Sequence, residues 1–187
     1  MKLLKNIKIA VLITAVIVIL TMMAGVGTSL DRLARDVEAT FFSERYVDAA
    51  GITRRGIYHH LENASESAFS LAMMMTANPE LTAQSQALLA ARAELVTAMN
   101  DRDISKMGEK YEIVRVRFFE LTGRAEGLAL SQRESDALSL FTRDFRGAMT
   151  AIGEIGYNDA VSSFMDNASV FAHLLKPFVF VTPPQPF

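Results

Sequence analysis

Apolar residues recur along this chain at helical spacing from its first residues to Leu175. The run from Ile9 to Leu30 is 22 residues long and holds no charge. Lys2, Lys5 and Lys8 precede it, and Asp31, Arg32, Arg35 and Asp36 follow it. A hydrocarbon core about 30 Å thick takes ~20 helical residues to cross, so the run predicts one membrane span. Beyond it the apolar positions fall into stripes three and four residues apart. Ile57, Leu61, Ala64, Ala68, Leu71 and Met75 form the first, and Leu81, Leu88, Ala91 and Leu95 the second. Ile104, Met107, Tyr111, Val114, Phe118 and Leu121 keep strict a/d spacing, and Leu138, Phe141, Phe145, Ala148, Ile152 and Ile155 make a fourth stripe. Each predicts an amphipathic helix.

The residues between stripes set the expected boundaries. The first helix should run from the membrane to about Ala77, with Gly51 and Gly56 marking a candidate bend. Asn78-Pro79-Glu80 suits the start of a helix over roughly 79–99, through a cap, a first-turn proline and an acid at the positive dipole end. A third helix is expected over about 103–122, with Gly123 in the C′ position. Ser131 and Glu134 form a capping box that opens the fourth. Its stripe shifts phase at Gly153 and Gly156 to Tyr157, Val161, Phe164, Ala168, Phe171 and Leu175, so its second half should pack on a different neighbour, most simply the first helix. The expected fold is all-α: a transmembrane helix followed by an antiparallel four-helix bundle. The chain divides accordingly into a basic N-terminus (1–8), an anchor (9–30), a bundle domain (31–176) and an apolar, proline-rich tail (177–187).

Charge refines this picture. Without the three N-terminal lysines, 16 basic residues face 21 acidic ones, a body charge of −5. That excludes a basic nucleic-acid footprint and disfavours docking of the body onto anionic headgroups. The lysines on the N-terminal flank predict a cytoplasmic N-terminus and an extracytoplasmic bundle in the plasma (inner) membrane. A cleaved signal peptide, with about 7–15 apolar residues, is the competing reading, and this run is longer. No cysteine is present, which removes disulfides, thiolate metal sites and cysteine nucleophiles.

The C-terminal quarter carries a more specific pattern. Tyr157-Asn158-Asp159-Ala160-Val161 is followed by Phe171, Leu174, Leu175, Phe178, Phe180 and a final Pro186-Phe187. This resembles the closing signature of the LemA family. Ala91-Arg92-Ala93 is similar to that family's alanine-arginine-alanine segment, and the basic start, single span and long helices agree. Two features depart from the family: Arg54-Arg55 is followed by Gly56 to Leu61 without a proline, and Phe164-Met165 stands where a second tyrosine-asparagine pair is often found. The resemblance implies a membrane-anchored helical protein with no agreed enzymatic activity. It makes Tyr157, Asn158, Val161, Phe171, Phe178, Phe180 and Phe187 the candidate interaction residues.

Catalytic and metal-binding patterns are absent from the sequence. No Glu-x-x-His element precedes His59, His60 or His173, and no nucleophile elbow, phosphate loop or His-Glu-x-x-His helix occurs. His59 with Glu62 or Asn63 is a weak ligand pair whose ordinary reading is a solvated helix face. Met73-Met74-Met75 is expected to send one or two side chains into the core, and Arg115 and Arg117 should form solvated ion pairs. Asn63 and Asn167 each begin a glycosylation-type triplet inside a predicted helix. The tail has three readings: folding back on the bundle, touching the membrane surface, or binding a partner. No cofactor is expected. The expected partners are the bilayer, through residues 9–30, and another protein, with self-association left open. A ligand-sensing bundle is the alternative, although that design usually returns through a second span, and a metal-dependent enzyme ranks last.

Overall fold

The computed structural model describes residues 21, 25, 28–47, 51–175 and 184–187, with backbone alone over 167–175. The expected anchor lies largely outside these residues, as do Phe178 and Phe180. Among the described residues no helix is long and apolar enough to cross a membrane. The fold is all-α apart from one short β ladder.

Helix α1 covers 28–42. The short strands β1 (Tyr46–Val47) and β2 (Thr53–Arg54) follow, then α2 (Ile57–Met75), α3 (Thr82–Asn100), α4 (Ile104–Ala125), α5 (Gln132–Glu154) and α6 (Tyr157–Leu175). They fall into two compact units. One contains residues up to Glu38 together with Asp159–Pro184, and the other contains Ala39–Asn158 with Gln185–Phe187. In the first, Ala34, Val37, Val161 and Phe164 are buried.

The second unit is built on α2–α5. Short joints turn successive helices back on one another, and α2 packs between α5 and α3 while α3 packs on α4. Three of the four predicted stripes form its interior throughout, every named member from Ile57 to Met75, from Leu81 to Leu95 and from Ile104 to Leu121 being buried. Of the fourth, Leu138, Phe145 and Ala148 are buried, while Phe141, Ile152 and Ile155 are half-buried. Phe118 lies flat on Phe145, with ring centroids 4.0 Å apart and planes 8° apart. Burying one such side chain stabilises the fold by about 1.5–3 kcal/mol. Met75 enters the core while Met73 stays exposed.

Four boundaries differ from expectation. The first helix does not continue to Ala77, because residues 43–56 leave the helical path. Tyr46 pairs with Arg54 and Val47 with Thr53 in an antiparallel register, and Gly51 turns at φ 78°. Gly56 then passes so close to the end of α1 that an added Cβ would lie 2.5–2.8 Å from the carbonyl oxygens of Phe41, Thr40 and Ser43. The glycines therefore mark a full break. Asn78 does not cap a helix beginning at Pro79; its Oδ1 accepts from the Glu80 N–H at 3.0 Å, and α3 starts at Thr82. Gly123 lies inside α4, which ends at Ala125. The capping box is formed as expected, Ser131 Oγ accepting from the Glu134 N–H and Glu134 Oε2 from the Ser131 N–H. The phase change becomes a helix break as well: Gly156, at φ 63°, separates α5 from α6.

Candidate functional site

Three of the signature residues, Tyr157, Asn158 and Phe187, lie in the second unit. Asn158 is the second residue of α6, and its side-chain amide faces the main chain of Phe187. Oδ1 accepts from the Phe187 N–H at 2.9 Å, and Nδ2 donates to the Phe187 carbonyl at 2.7 Å. The buried Tyr157 donates its hydroxyl to the Gln185 carbonyl at 2.9 Å. The Phe187 ring packs near Phe41 and Tyr111, at centroid distances of 5.4 and 6.1 Å. Gly108 of α4 forms the floor, since a Cβ there would lie 2.7 Å from the Phe187 carbonyl carbon. Residues 185–187 therefore fold back on the bundle, with Asn158 holding Phe187 and Tyr157 holding Gln185. Val161 is buried elsewhere, in the first unit, and nothing is described of the Phe171 side chain. These hydrogen bonds are all directed at the main chain of residues 185 and 187.

A second site was not singled out by sequence. A cleft of about 620 Å³ opens beside the start of α2 and the end of α3, lined by Phe42, Arg45, Arg55, Tyr58, Glu62 and Arg102 among others. It adjoins a second cleft of about 520 Å³ that shares Tyr58, Glu62, Met99 and Asn100 and continues to Arg92 and Val96. Together they form a groove between α2 and α3. Arg92 donates to Ser65 Oγ at 3.0 Å and lies over the Phe69 ring. Phe69 and Met73 are 39% and 53% exposed, extending the α2 face past the groove.

Arg102 is placed by an unusual turn. The Arg102 N–H bonds the Met99 carbonyl and the Asp103 N–H bonds the Ala98 carbonyl, which is the Schellman arrangement that ends a helix. Its C′ residue adopts left-handed backbone and is most often glycine. Here it is Arg102, at φ 54°, the one positive-φ non-glycine among the described residues. Its guanidinium carbon sits 4.3 Å from the Phe42 ring centroid. Asp103 then caps α4 by accepting from the Lys106 N–H at 3.0 Å.

The electrostatics of the cleft follow from its neighbours. Arg55 bonds His59 Nε2, and Glu62 faces His59 Nδ1 at 3.7 Å. Burial lowers the pKa of the adjacent His60, helped by the positive charge of His59 and Arg55 and opposed by a hydrogen bond to the Arg55 backbone. The first turn of α2 carries no acid and no side-chain cap. Among the described residues no three histidines or carboxylates are grouped to hold a metal. Arg115 and Arg117 pair with Glu112 and Glu120, as expected of solvated helix faces. No family model, curated protein or solved structure matches the chain.

Proposed function

We propose that this is a membrane-tethered helical-bundle protein of the LemA type, held by residues 9–30, which works by docking another protein on the face shared by α2 and α3. The observation that carries this reading is the continuous groove from Arg102 and Tyr58 to Arg92, extended by the exposed Phe69 and Met73. From Tyr58 to Met73 the α2 face runs about 22 Å at 1.5 Å per residue, the scale of a polypeptide partner. An aromatic ring, a flexible thioether and arginines on one surface suit a protein interface. Asn158 is taken up by the main chain of Phe187 and the Tyr157 hydroxyl by the Gln185 carbonyl, so these residues offer fewer free contacts than this groove. A ligand-sensing role is the second reading, favoured by the arginines in the cleft.

Photo-crosslinking residues at positions 69 and 73, introduced into the full chain in intact membranes, should capture one defined protein. The same residue at Leu140, an exposed apolar position on α5, should not capture it. Equal capture at all three positions would remove the α2–α3 face as the docking surface. Capture of a second copy of the chain would make the partner itself. Reporters fused after Phe187 should be active only when exported, and cytoplasmic activity would reverse the orientation.

A further inference from the structure

The arginine end of the groove is electrostatically incomplete. Arg35, Arg54, Arg115, Arg117 and Arg143 each meet a carboxylate within 4.0 Å. Arg45, Arg55 and Arg102 line one cleft, and none of them has a carboxylate partner among the described residues. Glu44 and Glu62 also line it, so the wall carries three guanidinium groups against two carboxylates, and Glu62 is turned toward His59. Two aromatic rings, Phe42 and Tyr58, stand 5.8 Å apart on the same wall.

We propose that this cleft binds a phosphate group, carried either by a small soluble molecule or by a lipid headgroup. The chemistry follows from the donors. A guanidinium lying over a ring is held by its face, which leaves its N–H edge free to meet an oxyanion in plane. Arg102 is presented in that way by Phe42. Arg55 uses one of its five N–H donors on His59 and keeps others. A single carboxylate is satisfied by one arginine fork, whereas a phosphate offers three strong acceptor oxygens and up to two negative charges to a cluster of forks. The volume of about 620 Å³ exceeds that of an isolated phosphate, so the remainder of the molecule would lie along Tyr58. The backbone at Arg102 points the same way. A glycine would fit its φ of 54° with less strain, so an arginine there supplies the cleft with a guanidinium at some expense of local stability.

This site goes beyond protein docking and is tested without any partner. The full-length chain in phosphatidylcholine nanodiscs is titrated calorimetrically with pyrophosphate and, separately, with glycerophosphoglycerol, a lipid headgroup freed of its acyl chains. Saturable binding of at least one probe is expected. Preference for pyrophosphate assigns a soluble ligand, and preference for glycerophosphoglycerol assigns a headgroup. Arg102→Gly keeps the turn and removes the guanidinium, so it should weaken binding by about tenfold or more, the effect of one charge-assisted hydrogen bond, with an unchanged or higher melting temperature. The Arg45→Gln/Arg55→Gln pair, both on exposed side chains, should weaken it independently. Absence of saturable binding of both probes, or binding that neither variant changes, would overturn the proposal. Failure of the crosslinking at positions 69 and 73 would leave it standing.

Discussion

Asn158 grips the main chain of Phe187 at both polar atoms, accepting from its N–H at 2.9 Å and donating to its carbonyl at 2.7 Å. A single amide side chain thereby replaces what a neighbouring strand would provide. Removing it should release the tail while leaving the helices folded. Asn158→Ala is expected to cost about 1–3 kcal/mol, two hydrogen bonds at about 0.5–1.5 kcal/mol each. The Phe187 amide should then exchange with solvent much faster than in the parent protein. Unchanged exchange would mean that the Phe187 ring, packed near Phe41 and Tyr111, holds the tail unaided.

Gly108 makes the same interface testable from α4. Within a helix Gly→Ala ordinarily stabilises by about 1 kcal/mol. Here the new methyl would lie 2.7 Å from the Phe187 carbonyl carbon, backbone that cannot yield as a side chain end can. Gly108→Ala should therefore destabilise the full chain. Once Val179–Phe187 is deleted, the same substitution should become stabilising. A thermal-melt double-mutant cycle measures this change of sign, and an equal effect in both backgrounds would rule out the close approach.

Phe118→Ala tests the centre of the bundle. The ring is fully buried and stacked on Phe145 at 4.0 Å. Truncation should cost about 3–5 kcal/mol, a large share of the ~5–15 kcal/mol typical of a domain. A sharply lower denaturation midpoint is expected.

That core was legible in the sequence, because burial imposes a period and Ile104 to Leu121 keep it without exception. What escaped is set by contacts distant along the chain. Val47, Ile52 and Thr53 do not by themselves forbid a helix, and Gly56 breaks the path through its approach to the carbonyls of 40–43. Tyr157 and Asn158 were singled out, but their partners stand 28 and 29 residues away, beyond any periodic signal. The arginine cleft draws its members from a loop, the residue before Gly56 and a helix end, so no spacing announces it. The one local clue is Arg102, placed where a helix-ending turn prefers glycine.

Tyr111 carries a cost that can be removed. Its hydroxyl is buried and has no hydrogen-bond partner among the described residues, and desolvation pushes its pKa up to about 12, with a smaller contribution from Glu112. An unsatisfied buried hydroxyl costs about 1–3 kcal/mol. Tyr111→Phe keeps the ring beside Phe145 and Phe187 and should raise the melting midpoint. A fall in stability would indicate that the hydroxyl has a partner, most simply a buried water.

His60 should make stability depend on pH. Burial is the main cause of its lowered pKa, and the nearby His59 and Arg55 add to it. The neutral ring is thus favoured in the folded state relative to the unfolded chain, whose histidine titrates near 6.5. The sign follows from proton uptake. Well above pH 6.5 neither state binds the proton and the His60 contribution is constant. As pH falls through about 6.5, the unfolded chain takes up a proton that the folded chain accepts only at lower pH, and stability declines. His60→Gln cannot titrate. Denaturation midpoints of the parent and the variant should therefore differ by a constant amount above about pH 7.5, while the parent loses ground between about pH 6.5 and 5. A difference that stays constant across the whole range would show that His60 titrates alike in both states.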